Sequence, residues 1–200
     1  MTFRTAFIAC LTLAIANAAL VPALAQTAAK KSQGKAKAAP KAAAKEAPKA
    51  KAAPGPNGSQ LVSQYGEWGA YVANVKGKIC YALAEPKDRK PKLNRDPGYL
   101  FITTRPGENI QNELSVVAGF TLKEGSDATL NVGGMDFPLY TKGDSAWLKN
   151  AAEEAKLIEA LRKQRDLTVK TTSARGNVTT DRYSLSGIAQ ALDRVAQECK

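Results

Sequence analysis

The sequence contains no histidine. This absence excludes a Ser-His-Asp triad, a Cys-His nucleophile and any histidine-ligated metal site. No glycine-rich loop has the spacing that binds phosphate, because Gly133-Gly134 is not followed by a lysine and a helix. The sequence therefore carries no motif for a nucleotide, a metal ion or an activated nucleophile, and we expect no cofactor.

Charged residues are missing from a long stretch near the N-terminus. Arg4 precedes an uncharged run over residues 6–24, which ends in the small-x-small motif Ala23-Leu24-Ala25. This pattern predicts a cleavable secretory signal peptide over residues 1–25, and hence a protein of the periplasm or the cell surface. A retained membrane anchor is the alternative, and the polar and proline residues late in the run disfavour it.

Cysteine is scarce, with three residues in the chain. Cys10 would leave with the signal peptide, so Cys80 and Cys199 remain as an even pair in an oxidising compartment. A redox or nucleophilic thiol is the alternative, but there is no CxxC motif and no histidine to activate a thiolate. We expect a structural Cys80–Cys199 disulfide that closes a loop of about 120 residues.

Acidic and large apolar residues are nearly absent from the next segment. Between residues 26 and 56, eight lysines accompany one acid, Glu46, and no apolar side chain is larger than alanine. Such a segment cannot bury enough area to offset the entropy of ordering, so we predict a disordered linker over residues 26–58. We expect a spacer, or a contact with anionic membrane or cell-wall polymer. Nucleic-acid binding, a third use of a basic tail, fits poorly with export.

From residue 59 onward, short runs of β-branched and aromatic residues alternate with turn-forming residues. This texture favours a mainly β, antiparallel β-sandwich over residues 59–200, with a small closed barrel as the alternative. The predicted strands are Glu67–Val75, Gly77–Leu83, Tyr99–Arg105, Leu114–Phe120, Ala128–Val132, Met135–Tyr140, Leu167–Ser173 and Val178–Ser184.

A first helix is predicted over Ala151–Arg165. The segment is rich in strong helix formers, with acidic residues early and basic residues late, which complements the helix dipole. Ala155, Ile158, Leu161 and Arg162 lie on or near one face. We expect the charged residues to form a solvated face.

A second helix is predicted over Gly187–Cys199, with Ser186 as its N-cap. An apolar stripe runs along one face of this helix. The stripe consists of Ile188, Leu192, Val195 and Cys199. We therefore expect the helix to be fastened to the strand that bears Cys80.

Two features are candidates for a partner surface. Trp147 is predicted in a loop that enters the first helix, where it packs the helix onto the sheet or faces a partner. The polar run over residues 172–187 includes Arg175, Asp181 and Tyr183, and suits recognition of glycan or peptide edges. Its alternative is a hairpin with a polar outer face.

Acidic residues leave one enzymatic alternative. A glycoside hydrolase would require two carboxylates from Asp96, Glu113, Asp136 and Asp181 to meet in one cleft. Their spacing gives no reason to expect this. We expect a non-enzymatic protein, with a periplasmic hydrolase as the competing hypothesis.

A collinear set of residues runs through the predicted domain. It consists of Gly66, Trp68, Tyr71, Cys80-Tyr81, Pro86, Pro91, Glu113–Phe120, Phe137–Tyr140, Ala146-Trp147, Arg175-Gly176, Thr179, Asp181, Tyr183–Leu185, Gly187, Ala191-Leu192 and Cys199. Together these residues resemble the invasion-associated locus B family of bacterial envelope proteins, over residues 62–199. The resemblance implies a secreted or periplasmic protein with an immunoglobulin-like β-sandwich, and a link, in some pathogens, to entry into host cells. It supplies no catalytic residues, and it supports the Cys80–Cys199 bridge. As partner we expect an unidentified protein or envelope polymer.

Overall fold

The structure is a computed structural model that describes residues 58–200. Three predictions concern residues outside this range: the signal peptide (1–25), Cys10, and the linker (26–58), of which only Gly58 is described. The described part is mainly β, with eleven strands and two α-helices. The strands are β1 (Gln60–Tyr65), β2 (Trp68–Asn74), β3 (Lys78–Ala84), β4 (Asp88–Lys90), β5 (Tyr99–Arg105), β6 (Ile110–Val117), β7 (Ala128–Val132), β8 (Met135–Lys142), β9 (Ser145–Leu148), β10 (Asp166–Thr172) and β11 (Val178–Ser184). The helices are α1 (Glu154–Lys163) and α2 (Ile188–Glu198).

All eleven strands belong to one antiparallel sheet, in the order β1-β2-β3-β5-β6-β9-β8-β7-β10-β11-β4. Most neighbouring strands follow each other in sequence and form hairpins with short turns, such as the Gly133-Gly134 turn between β7 and β8. The predicted mainly β, antiparallel fold with two helices is confirmed.

The sheet bends back on itself because of where β4 pairs. β3 ends at Ala84 and β4 begins at Asp88. The chain between them spans at most about 14 Å. Yet β4 pairs with β11, at the opposite end of the strand order from β1. The two ends of the sheet therefore lie close together, and Trp68 Nε1 of β2 donates a hydrogen bond to Ser184 O of β11 at 2.8 Å.

The buried apolar side chains of the strands and of both helices form one core cluster. Successive side chains of a strand point to opposite faces. In β7, for example, Ala128, Leu130 and Val132 are buried, whereas Thr129 and Asn131 are partly exposed. Among the largest fully buried side chains are Trp68, Phe137 and Tyr183.

Helix α2 packs on β1, β2 and β3 and closes this side of the core. The predicted apolar stripe is confirmed, because all four of its residues are buried. Cys199, directly after the helix, forms a disulfide with Cys80 of β3, and their Cα atoms are 5.9 Å apart. The predicted covalent attachment of the helix to this strand is therefore confirmed.

The start of α2 differs from the prediction. Gly187, not Ser186, is the N-cap residue, and no side chain caps the helix. Gly187 has φ +96°, and a Cβ there would lie 1.8 Å from Tyr65 O. Only glycine allows the chain to pass so close to the end of β1.

Helix α1 is shorter than predicted and turns a different face inward. A 3₁₀ turn over Ala151–Glu153 precedes it, capped by the Asn150 side chain. Leu161 is buried and Ile158 is partly buried, as predicted. Ala155 and Arg162 were wrongly predicted on the same face, because both are exposed. Leu157 and Ala160 are buried in their place.

Three strands were not predicted, and one was misplaced. β1 is rich in polar residues, and β4 is a run of three charged residues, so neither carries an apolar alternation. β9 has four residues and contains Trp147, which was wrongly predicted in a loop. The strand predicted over Leu114–Phe120 begins earlier and ends at Val117, because Gly119 turns the chain with φ +73°.

No helix within residues 58–200 has the length and apolar character that crossing a bilayer requires.

We expect the disulfide to contribute strongly to stability, because it closes a loop with a sequence separation of 119. The chain-entropy model gives roughly 4–5 kcal/mol for a loop of this length. Urea unfolding with and without dithiothreitol measures the difference. The Cys80→Ala/Cys199→Ala variant is the control, since its unfolding midpoint should not respond to the reductant. An unchanged midpoint for the reduced native chain would contradict the expectation.

Candidate functional site

A groove of about 590 Å³ opens beside the turn between β10 and β11. Three segments line it: residues 93–96 ahead of β5, residues 119–121 after β6, and residues 173–179 in the hairpin turn and the start of β11. The first half of the polar run predicted to meet a partner therefore forms one wall of this groove.

Backbone contacts hold the three segments in place. Ala174 N donates to Thr121 O at 2.9 Å, and Asp96 N donates to Gly119 O at 3.1 Å. A Cβ on Gly119 would lie 2.1 Å from Asp96 O. Glycine at this position is therefore required for residues 93–96 to approach the end of β6.

A buried cluster of charges adjoins the groove and meets it at Arg95. Asp181, on the inner face of β11, has a side chain that is only 7% exposed. Its Oδ1 accepts from Arg95 Nη2 at 2.5 Å, and its Oδ2 accepts from Arg89 Nε at 3.3 Å. One carboxylate thus holds two guanidinium groups that come from β4 and from the segment ahead of β5.

The two arginines differ in how their donors are used. Arg89 also donates to Asp96 O at 2.7 Å and to Ala118 O at 2.6 Å, so it ties β4 to two of the groove segments. The Arg95 side chain is 4% exposed, and its Nη1 has no hydrogen-bond partner among residues 58–200. Its guanidinium lies over the Phe120 ring, 5.4 Å from the centroid. Arg95 is therefore the member of the cluster with spare donor capacity.

Tyr183 lies next to this cluster on the inner face of β11. Its side chain is fully buried, and within the described part of the chain its hydroxyl has no hydrogen-bond partner. Burial raises the pKa of the phenol, and the negative charge of Asp181 raises it further. The structure thus corrects the predicted surface placement of Asp181 and Tyr183, because both residues are buried.

The other two predicted partner residues are exposed to different degrees and lie in different places. Arg175 is exposed at the hairpin turn and lines the groove. Trp147 lies on β9 and stacks on Tyr140 of β8, with ring centroids 5.4 Å apart. Trp147 is not among the groove residues, so the predicted surface separates into a groove and an aromatic pair on the sheet. A partner contact at Arg175 or Trp147 stays a prediction.

The four candidate catalytic acids have different surroundings. Both oxygens of Asp181 are engaged by arginines. Glu113 accepts from Arg105 at 2.8 Å, and Asp136 accepts from Asn131 at 2.6 Å. Glu113 and Asp136 each adjoin a buried residue in their strands, which places both on the outer face, away from Asp181. Asp96 lies in the groove wall.

No set of three or more cysteine, aspartate or glutamate side chains in residues 58–200 is grouped so that it could hold a metal ion.

Sequence reasoning missed Arg89, Arg95 and Phe120. All three lie in or beside proline- and glycine-containing segments without periodicity, so no spacing rule indicates that they converge. The one available signal was the density of basic residues over residues 87–95.

Comparison with known proteins identifies a family. The model of the family described as "Invasion associated locus B (IalB) protein" matches residues 73–196. The matched range includes β3 to β11, the whole groove and nearly all of α2. No curated protein and no solved structure matches the chain.

We expect Asp181→Asn to destabilise the fold by about 3 kcal/mol, because it leaves two buried guanidinium groups without a counter-ion. Chemical unfolding measures this loss. Asp166→Asn is the matched control, because Asp166 pairs with Arg182 at the surface, where an ion pair contributes below about 1 kcal/mol. Equal losses in the free energy of unfolding for the two variants would show that the buried cluster contributes no more to stability than a surface ion pair.

Proposed function

The chain belongs to the invasion-associated locus B family, whose model matches residues 73–196 of the 200, and we propose that it is an exported, non-enzymatic recognition module associated with entry into host cells. The observation that carries the proposal is the groove beside the β10–β11 turn. Its walls are held by backbone hydrogen bonds, and one of its lining residues, Arg95, is fixed by a buried ion pair with Asp181. Such a pre-formed cleft with few convergent polar groups is typical of binding sites.

A role in binding, not catalysis, agrees with the state of the acidic residues. Asp181 is the deeply buried one, and both its oxygens are occupied by arginines that position the groove. Glu113 and Asp136 lie on the other face of the sheet with partners of their own. A pair of carboxylates with a free cleft between them, which glycoside cleavage requires, is not supported by this arrangement.

Export is supported by two features that are independent of the groove. The N-terminal sequence has the pattern of a signal peptide. The Cys80–Cys199 disulfide is of the kind that persists in oxidising compartments. In the proposed arrangement the lysine-rich residues 26–56 act as a spacer or contact an anionic envelope surface, and the groove meets a partner protein.

The test measures two things: where the chain is located in the bacterium, and whether it supports entry of the bacterium into host cells. In a deletion strain of the source bacterium, the wild-type chain should restore uptake by cultured host cells, measured as bacteria recovered from inside them. Mass spectrometry of the periplasmic fraction, with and without reduction, should find a chain that begins at Gln26 and contains the disulfide.

The control is the same chain without residues 1–25. It should stay in the cytoplasm, where the disulfide does not persist, and it should not restore uptake. Restoration by this leaderless chain, or a deletion strain that enters cells as well as its parent, would contradict the proposed function.

A further inference from the structure

The buried cluster that meets the groove at Arg95 carries more positive than negative charge. Arg89 and Arg95 contribute two guanidinium groups, and Asp181 is the one carboxylate among residues 58–200 that pairs with either of them. A buried charge without a counter-ion costs free energy, because it has lost its hydration. Within this cluster the surplus is a single positive charge, and the other charged residues of the groove lining, Asp96 and Arg175, are of opposite sign. A ligand group with one negative charge would therefore balance the surplus.

The spare donor identifies the residue that would meet this group. Arg89 directs its Nε and both terminal nitrogens at Asp181, Asp96 O and Ala118 O. Arg95 uses Nη2 on Asp181, while its buried Nη1 lacks an acceptor within the described part. A charge-assisted hydrogen bond from Nη1 to a carboxylate oxygen would satisfy that donor and neutralise the surplus charge together.

The walls indicate what is attached to the negative group. Asn94 and Asn177 provide amides that can bond a peptide backbone, and Leu93 and Ala174 provide apolar surface. One face of Phe120 is covered by the Arg95 guanidinium, so that face cannot stack on a sugar ring. The lining therefore fits a peptide with an apolar side chain better than an acidic glycan.

We propose that the groove binds the C-terminal carboxylate of a peptide whose last side chain is apolar. Arg95 is the residue that binds the carboxylate, and Arg175 adds positive charge at the hairpin turn. The inference rests on the proposed recognition role and names the ligand of that same groove. Capture of a chain terminus by fixed donors is a known mode of peptide recognition.

The test uses the purified chain, labelled with ¹⁵N, and N-acetyl-L-leucine as the probe. Saturable shifts are expected for amides of residues 93–96, 119–121 and 173–179. N-acetyl-L-leucinamide, which lacks the negative charge, should not produce them. Arg95→Met should weaken binding about tenfold or more. Arg175→Gln, at an exposed position that the fold does not need, should weaken it about threefold.

Arg182→Gln is the matched control, because Arg182 is one residue from Asp181 but exposed, and should leave the affinity unchanged. Equal binding of acid and amide would overturn the proposal, as would an equal effect of Arg182→Gln and Arg175→Gln. Tighter binding of glucuronate or inorganic phosphate than of the probe would overturn the assigned ligand class. Because the measurement is independent of export and uptake, its failure is distinguishable from failure of the proposed function.

Discussion

The Asp181 carboxylate, held between two guanidinium groups, is the interaction on which the functional end of the molecule depends. Through Arg89 it connects the short strand β4 to the segment ahead of β5 and to the end of β6. Through Arg95 it fixes one of the residues that line the groove. A pair of this kind contributes little net stability compared with apolar packing, but removing one partner leaves charge buried without compensation. The cluster therefore acts mainly to specify geometry.

The rest of the fold supplies a rigid frame for this cluster. The sheet bends until its ends meet, and Trp68 of β2 bonds the backbone of β11, the strand that carries Asp181. At the other side of the core, the Cys80–Cys199 bond fastens α2 to β3. The Trp68 hydrogen bond and the disulfide stabilise the sheet and α2, and neither contacts the groove. The groove residues can therefore have an arrangement that is not the most stable one for the free protein. An unmatched guanidinium charge is such an arrangement, and is typical of a site shaped for a ligand.

Parts of the fold that depend on local sequence patterns could be predicted, and parts that depend on long-range pairing could not. Strands with apolar alternation and clear turns, such as Ala128–Val132 and Val178–Ser184, were predicted to the residue, because that pattern is local. The disulfide followed from the cysteine count. β4 could not be predicted, because three charged residues become a strand only through pairing with β11. The groove depends on the same long-range pairing, so Arg175 was identified from its polar surroundings while Arg95 was missed.

The central claim is that the positive charge of Arg95 serves a ligand and is not needed for folding. The most direct test is the free energy of unfolding of Arg95→Met in the absence of any ligand. In this variant Asp181 keeps Arg89, and the buried charges balance one to one. We predict a stability within about 1 kcal/mol of the wild type, or higher. A loss of about 3–5 kcal/mol, as expected for breaking a buried ion pair, would contradict the account.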